Sequence, residues 1–192
     1  MVGMVLTRRG SRSVGAVVAS AVAVLVTAAL PASAATRTFS DKAGDLDHPA
    51  DLRAVTVVNR EGAVRVTVEV RDLRKSGPKV TGGSVFLDTD GDREPDYVLT
   101  GGFFAGTDYA LLRTSSWSLR KTGERVLCDY ALHPRYADDL VRMRLDTDCF
   151  EAEPGEGPVR VEVRVAGSRP DGGVAVDWLR SPRSFGAAVA RS

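Results

Sequence analysis

The densest group of metal-ligand side chains in this chain is an acidic loop near its middle. The loop has the sequence Asp88-Thr89-Asp90-Gly91-Asp92-Arg93-Glu94-Pro95-Asp96. Carboxylates at alternating positions of a tight turn can converge on one point, and a hard cation such as Ca²⁺ prefers several oxygen ligands there. The sequence therefore predicts a calcium site whose ligands are Asp88, Asp90, Asp92 and Asp96.

The same loop departs from the EF-hand pattern at two positions. Arg93 stands where the sharp turn of an EF-hand requires glycine, and Leu99 stands where a bidentate glutamate belongs. A second interpretation is that these acids cap turns without a metal, because Asp and Gly form Asx-turns on their own. Both interpretations stay open at this point.

A second acidic segment lies further towards the amino terminus. It contains Asp41, Asp45, Asp47 and Asp51 within eleven residues. Asp41 and Asp45 are candidate ligands for a calcium ion here, and turn capping is again the alternative.

Catalytic residues are not indicated by any local pattern. The two histidines, His48 and His133, each precede a proline and have no second histidine and no cysteine three or four residues away. The chain also has no G-x-S-x-G nucleophile motif. The sequence predicts no catalytic residues and favours a protein that is not an enzyme. A secreted hydrolase stays as an alternative, because catalytic sets can assemble from distant parts of a chain.

Flat aromatic side chains are the second kind of candidate ligand residue, because sugar rings stack on them. Trp117 stands among serines in Ser115-Ser116-Trp117-Ser118, which predicts a loop. We expect Trp117, with Tyr97 and Tyr109, to contribute to a carbohydrate site. The alternative is that these rings fill the core, which is where we expect Trp178.

Strands with one buried face must position these residues. Apolar side chains alternate with polar ones over many short segments. This period of two is typical of strands with one buried and one solvent-exposed face. About nine such segments predict an all-β fold, a two-sheet antiparallel β-sandwich of the jelly-roll type. The clearest runs are Val64, Val66, Val68 and Val70; Val141, Met143 and Leu145; and Val159, Val161, Val163 and Val165.

Two hairpins and a disulfide follow from the turns between these segments. Residues 59–62 end in Glu61-Gly62 and predict a hairpin. A second hairpin between residues 125–132 and 140–149, with its tip at Asp138-Asp139, would place Cys128 opposite Cys149. Two cysteines in an exported chain predict a disulfide, and two free buried thiols are the alternative.

The amino terminus has the three parts of a secretory signal. Residues 1–13 carry three arginines and no acid, residues 14–30 are apolar or small, and Ala32-Ser33-Ala34 ends the segment. We predict a signal peptide over residues 1–34 and one domain over residues 35–192, with no membrane span after cleavage. An uncleaved membrane anchor is the alternative. The predicted location is secreted or retained at the cell surface.

The net charge excludes one class of partner. The whole chain carries +1, and removing three arginines with the signal leaves −2. Nucleic-acid binding requires a basic face, so we expect no nucleic-acid partner.

Three segments in a fixed order resemble a known family pattern. They are residues 39–45 followed by Ala50-Asp51-Leu52, then Val85-Phe86-Leu87-Asp88-Thr89-Asp90, then Gly106-Thr107-Asp108-Tyr109. This order resembles DOMON-like, family 9 carbohydrate-binding-like β-sandwiches, and it is similar to small secreted proteins of unknown function from high-GC bacteria. The resemblance covers residues 38–115. It implies a sandwich with a ligand face, calcium at Asp88 and Asp90, and a sugar or haem as ligand.

These observations together predict a non-catalytic extracellular binding module. Carbohydrate is the favoured ligand class, so the expected partner is an extracellular glycan or another envelope component, with calcium as the one expected cofactor. The alternative is a structural or protein-interaction domain of the cell envelope that binds no small ligand.

Overall fold

The computed structural model describes residues 36–150 and 157–192, so the predicted signal peptide lies outside the described residues. Within the described part of the chain, no helix is long and apolar enough to cross a membrane. The described residues form eleven strands and one 3-10 turn, Thr147–Cys149. The strands are β1 (Thr36–Ser40), β2 (Leu52–Arg60), β3 (Ala63–Val70), β4 (Thr81–Asp88), β5 (Tyr97–Gly102), β6 (Tyr109–Thr114), β7 (Thr122–Arg125), β8 (Tyr130–Arg135), β9 (Leu140–Asp146), β10 (Arg160–Ser168) and β11 (Val174–Trp178).

The strands form two antiparallel sheets that pack as a sandwich, as the alternation predicts. One sheet has five strands in the order β1-β2-β3-β9-β8, and the other has six in the order β11-β10-β4-β5-β6-β7. The main core lies between them, because the apolar members of each alternating run face inward. It includes Val55, Val57, Val64, Val66, Val68, Val85, Leu87, Leu99, Leu111, Val141, Met143, Leu145, Val161, Val163 and Val165, all buried.

The number of strands exceeds the prediction by two. Strand β1 was not predicted because only Phe39 of its five residues is buried, and β7 has four residues that are exposed or half-buried. The prediction of one strand over residues 125–132 is wrong. Strand β7 ends at Arg125 and β8 begins at Tyr130, because the chain crosses there from the edge of one sheet to the edge of the other.

Both predicted hairpins are present. Strands β2 and β3 pair with Arg60 opposite Ala63, so Glu61 and Gly62 form the turn. Gly62 has φ of 80°, a left-handed conformation that favours glycine. Strands β8 and β9 pair with Arg135 opposite Leu140, which leaves the predicted tip at residues 136–139.

The disulfide between Cys128 and Cys149 is confirmed, with the Cα atoms 5.3 Å apart. The predicted register of the hairpin, with Cys128 directly opposite Cys149, is wrong by two residues. The register pairs Tyr130 with Leu145, which places both cysteines beyond the end of the ladder. The bond therefore joins the crossing segment before β8 to the 3-10 turn after β9.

Part of the outer face of the six-stranded sheet is buried, although the alternating pattern predicts that this face is exposed to solvent. Phe86 and Val98 point outward in one row of the ladder and are buried, together with Phe185 from the segment after β11. Trp178 belongs to this outer cluster and not to the main core, where it was predicted. We call this group the outer aromatic cluster; its members are Phe86, Val98, Leu112, Trp117, Trp178 and Phe185.

An acidic residue, Glu162, is also buried on the outer face of the six-stranded sheet. It lies opposite Phe86 in the ladder, is 1 % exposed, and its Oε1 has no hydrogen-bond partner among the described residues. Burial raises the pKa of Glu162 to about 9, and the charge of Asp41 acts in the same direction. Backbone hydrogen bonds and the charge of Arg180 oppose this rise in pKa. Glu162 is therefore protonated in the folded protein at neutral pH.

The variant Glu162→Gln is expected to change how stability depends on pH. Between the ordinary pKa of 4.5 and about 9, the unfolded chain loses the Glu162 proton and the folded chain keeps it. The free energy of unfolding therefore falls as pH rises through this window and levels off above it. Gln carries no such proton, so the variant gains about 1–3 kcal/mol over wild type at pH 7. Urea unfolding at pH 5, 7 and 9 measures both slopes, with the exposed Glu124→Gln as control. Equal slopes for wild type and Glu162→Gln would contradict the buried, protonated state.

Removing the disulfide is expected to lower the free energy of unfolding by about 3 kcal/mol, because the bond closes a loop of 21 residues in the unfolded chain. The double variant Cys128→Ser, Cys149→Ser should show this loss in urea unfolding. Dithiothreitol should lower the stability of wild type by the same amount and leave the double variant unchanged. A loss below about 1 kcal/mol would show that the bond does not constrain the unfolded chain.

Candidate functional site

The acidic loop connects β4 to β5 and is held by its own side chains. Asp88 Oδ1 accepts a hydrogen bond from the Gly91 N–H at 2.7 Å, and Asp88 Oδ2 accepts one from the Arg93 N–H at 3.2 Å. Asp96 Oδ2 accepts hydrogen bonds from both the N–H and the hydroxyl of Thr89, at 2.6 and 2.8 Å. These bonds fix the loop without any ligand.

Three of the four predicted calcium ligands come together. Asp88, Asp90 and Asp96 each bring one carboxylate oxygen within 4.8 Å of the others, and Asp92 is not in this group. Burial raises the pKa of Asp96, and the charges of Asp90 and Asp88 act in the same direction. The hydrogen bonds from Thr89 oppose this rise.

A cation from the protein itself already neutralises part of this group. Arg160, at the start of β10, places Nη1 2.8 Å from Asp88 Oδ2, and the side chain of Asp88 is fully buried. The Asp88 carboxylate thus accepts three hydrogen bonds, one of them from a guanidinium. Arg160 competes with an ion for Asp88 Oδ2, whereas among the described residues Asp88 Oδ1 accepts a hydrogen bond only from the Gly91 N–H. Calcium at Asp88, Asp90 and Asp96 stays a prediction, and no step of the proposed function depends on it.

The second acidic cluster gains a member that the sequence did not suggest. Asp41 and Asp45 lie within ligand distance of Asp177 on β11. Asp177 accepts hydrogen bonds from the N–H groups of Leu52 and Trp178, both at 2.8 Å. Burial raises the pKa of Asp177, and the charges of Asp41 and Asp45 add to this effect.

These acids hold the loop between β1 and β2 against β11. Asp41 accepts a hydrogen bond from the Arg180 N–H. Buried Asp51 accepts hydrogen bonds from Gly44 and Leu46 within the loop. Several oxygens of this cluster therefore already have protein donors.

Of the two histidines, His48 makes structural contacts and His133 lies on the surface. His48 is buried, and its Nδ1 accepts a hydrogen bond from the Ala50 N–H at 3.1 Å. Its Nε2 must then carry the proton and donate to the Ser168 carbonyl, also at 3.1 Å. His133 is exposed on β8, opposite Arg142. Neither histidine lines the groove described next.

A groove runs along the end of the six-stranded sheet where the β4–β5 and β6–β7 loops lie side by side. It consists of two clefts that share Ser115. The polar cleft, of about 560 Å³, is lined by the charged residues Asp90, Asp96, Arg113 and Lys121 and by the hydroxyls of Thr89, Thr114 and Thr122. The tryptophan cleft, of about 270 Å³, is lined by Glu94, Ser116, Trp117, Ser118 and Arg183.

Trp117 is held rigidly at this groove. Its ring centroid lies 4.7 Å from that of Phe185 and 5.1 Å from that of Phe86. The loop that carries Trp117 is fixed by reciprocal hydrogen bonds between Thr114 and Ser116, at 2.8 and 3.0 Å. Trp117 is half-buried, so it belongs to the outer aromatic cluster and to the groove wall at once.

The other two predicted aromatic ligand residues do not join Trp117. Tyr97 borders the polar cleft but is 3 % exposed, packs against Phe150, and lies beneath the Arg113 guanidinium. Tyr109 lies at the opposite end of the β5–β6 ladder from Tyr97. There it packs edge-on against Tyr130 and borders a separate cleft. The structure therefore separates Tyr109 from the groove.

Comparison with known proteins adds no family. No protein-family model matches the chain, and no curated protein matches it. The resemblance to DOMON-like sandwiches therefore stays a prediction, whereas the two-sheet β-sandwich rests on the observed strand pairing.

The variant Arg160→Met is expected to destabilise the protein by about 3 kcal/mol, because Asp88 would remain buried without a counter-charge. Wild type should melt only slightly higher in millimolar CaCl₂ than in EDTA, because Arg160 competes with the ion for Asp88 Oδ2. In the variant, CaCl₂ should restore part of the lost melting temperature, because the three carboxylates then lack an internal cation. The exposed Arg142→Met serves as control. A rise in CaCl₂ that is as large for wild type as for Arg160→Met would show that Arg160 does not compete with calcium at this loop.

Proposed function

We propose that this chain is an extracellular, non-catalytic binding module and that a carbohydrate binds in the groove. The observation that carries the proposal is the position of Trp117, which is half-buried in a packed aromatic cluster and lines a cleft that neighbours a polar one, with Ser115 lining both. A fixed aromatic ring beside hydrogen-bonding side chains matches both surfaces of a sugar, its apolar ring face and its hydroxyls.

Rigidity supports the proposal energetically. Binding orders the side chains at an interface, and each ordered side chain opposes affinity by about 0.5–1.5 kcal/mol. Phe86 and Phe185 already hold the ring of Trp117, so little of this loss arises at that residue. The hydrogen bond from the Thr114 N–H to the Asp96 carbonyl, 2.9 Å, also ties the two loops of the groove together.

Export is the second part of the proposal. It is supported by the signal-type amino terminus and by the disulfide, because such bonds persist in oxidising compartments. The module would then act outside the cell or at its surface, where glycans are the abundant polymers.

Binding without catalysis is favoured by what lines the groove. Its described residues include hydroxyls, two carboxylates, an arginine and a lysine in the polar cleft, but no histidine and no cysteine. A hydrolase would have to take its acid and base from the carboxylates that line the groove, Asp90, Asp96 and Glu94, and this stays the remote alternative.

A protein-interaction domain of the cell envelope is the second candidate. The observation in its favour is exposed apolar surface away from the groove. Leu127, between β7 and β8, is 90 % exposed, and Val174 on the edge strand β11 is 62 % exposed. Such surface suits contact with another protein.

Affinity electrophoresis against a panel of soluble polysaccharides tests the proposal. Wild type should be retarded by at least one glycan, and Trp117→Ala should lose affinity by at least about tenfold. Trp117→Phe keeps an aromatic ring in the cluster and should retain part of the affinity. Leu127→Ala is the matched control and should migrate like wild type. A wild-type protein that no glycan retards would contradict the proposal and favour the envelope-interaction alternative.

A further inference from the structure

We propose that the groove binds a stretch of several units of an uncharged glycan, with one subsite at Trp117 and a second in the polar cleft. This inference rests on the proposed function and goes further, because it specifies the charge and the length of the ligand. Three features of the groove carry it: the balance of its charges, the way its two clefts join, and the fixed distance between its walls.

The charges of the groove cancel in each cleft separately. Asp90 and Asp96 face Arg113 and Lys121 in the polar cleft. Glu94 and Arg183 form the only opposite pair of charges on the lining of the tryptophan cleft. A polyanion needs an excess of positive charge along its track, and a polycation needs the reverse. Neither cleft has such an excess, whereas closely spaced donors and acceptors of both signs suit the hydroxyls of a neutral sugar.

One charge just outside the groove is also neutralised inside the protein. Asp88, next to Thr89 of the polar cleft, is paired with Arg160 at 2.8 Å. Without Arg160 the acidic loop would add a negative charge to the groove. The internal ion pair therefore contributes to the neutrality that the ligand meets.

The joined clefts indicate the length of the ligand. The tryptophan cleft of about 270 Å³ is slightly smaller than the usual range for a small-molecule site, which begins near 300 Å³, and the polar cleft of about 560 Å³ lies within that range. A single sugar stacked on Trp117 would leave the larger cleft empty. Ser115 belongs to both clefts and is exposed, so a chain can pass over it from one cleft to the other.

The spacing between the two subsites is fixed by the loops that carry them. Thr114 bonds to Ser116 on the Trp117 side, and its N–H donates to the Asp96 carbonyl on the other side. The Lys121 N–H donates to the Ser118 carbonyl at 2.9 Å and closes the β6–β7 loop. With both subsites preorganised, a ligand that spans them gains contacts without a further loss of protein entropy.

Titration calorimetry with defined oligosaccharides tests the inference. The neutral probes are gluco-, manno- and xylo-oligosaccharides of one to six units, and the anionic probes are oligogalacturonides of the same lengths. For at least one neutral series, affinity should rise by about tenfold or more between one and three units and then level off. Oligogalacturonides should bind at least about tenfold more weakly than neutral chains of equal length.

A charge-matched variant separates the two subsites. Asp90→Asn with Lys121→Gln removes one charge of each sign from the polar cleft, so the net charge of the protein is unchanged. This double variant should lose most of the gain in affinity with length. Trp117→Ala should weaken every member of the binding series. Leu127→Ala, which lies outside the groove, should reproduce the wild-type length dependence.

The outcomes distinguish the inference from the proposed function. If no oligosaccharide of any length binds and no polysaccharide retards the protein, the proposed function itself fails. If sugars bind with the same affinity at every length, or if oligogalacturonides bind more tightly than neutral chains, the binding function stands and this inference is overturned. An unchanged length dependence in the double variant would likewise overturn the subsite in the polar cleft.

Discussion

The buried ion pair between Asp88 and Arg160 is the interaction on which the candidate site depends. An exposed ion pair contributes at most about 1 kcal/mol, whereas a buried carboxylate left without its partner destabilises a protein by about 3–5 kcal/mol. Asp88 is fully buried and Arg160 is 18 % exposed, so this pair belongs to the second class. It joins the β4–β5 loop to β10, and Asp88 also fixes the loop through Gly91 and Arg93. These contacts hold one wall of the groove in place without a ligand.

The other wall depends on apolar packing in the outer aromatic cluster, which covers part of the outer face of the six-stranded sheet. Phe86 points out of that sheet and would be exposed without the segment that carries Phe185. Packing in the outer aromatic cluster also fixes the ring of Trp117. Glu162 is buried on the same face of the sheet and is neutral there. Burial of this acid opposes folding, and burial of the aromatic rings favours it, at about 25 cal/mol per Å² of apolar surface. The result is a rigid tryptophan at the groove and a buried glutamate that has no evident role in binding.

The sequence predicts what depends on local spacing and fails where distant residues meet. The valine runs and the turn at Glu61-Gly62 predict the sandwich and a hairpin, because a period of two and a tight turn are set by neighbouring residues. The acidic loop and Trp117 were also recognised individually. Their adjacency was not, because it requires the pairing of β5 with β6. Arg160 lies 72 residues from Asp88, so no spacing could reveal the pair. Glu162 alternates with valines like a solvent-exposed residue, whereas it is buried and accepts a hydrogen bond from the backbone of Leu179, a contact that spacing does not reveal.

Arg160 also affects how the acidic loop could bind an ion. In a loop with no internal cation, the mutual repulsion of the carboxylates is relieved only when an ion binds. Here the repulsion at Asp88 is relieved during folding, by a guanidinium from another strand. What remains near the groove are the carboxylates of Asp90 and Asp96, balanced by Arg113 and Lys121. Such a balance gives little long-range attraction for any charged molecule, because equal and opposite charges around one cleft largely cancel at a distance. Selectivity in this groove then has to come from short-range contacts. For the proposed ligand these are hydrogen bonds in the polar cleft and stacking on Trp117. Such contacts distinguish one uncharged polyhydroxyl chain from another.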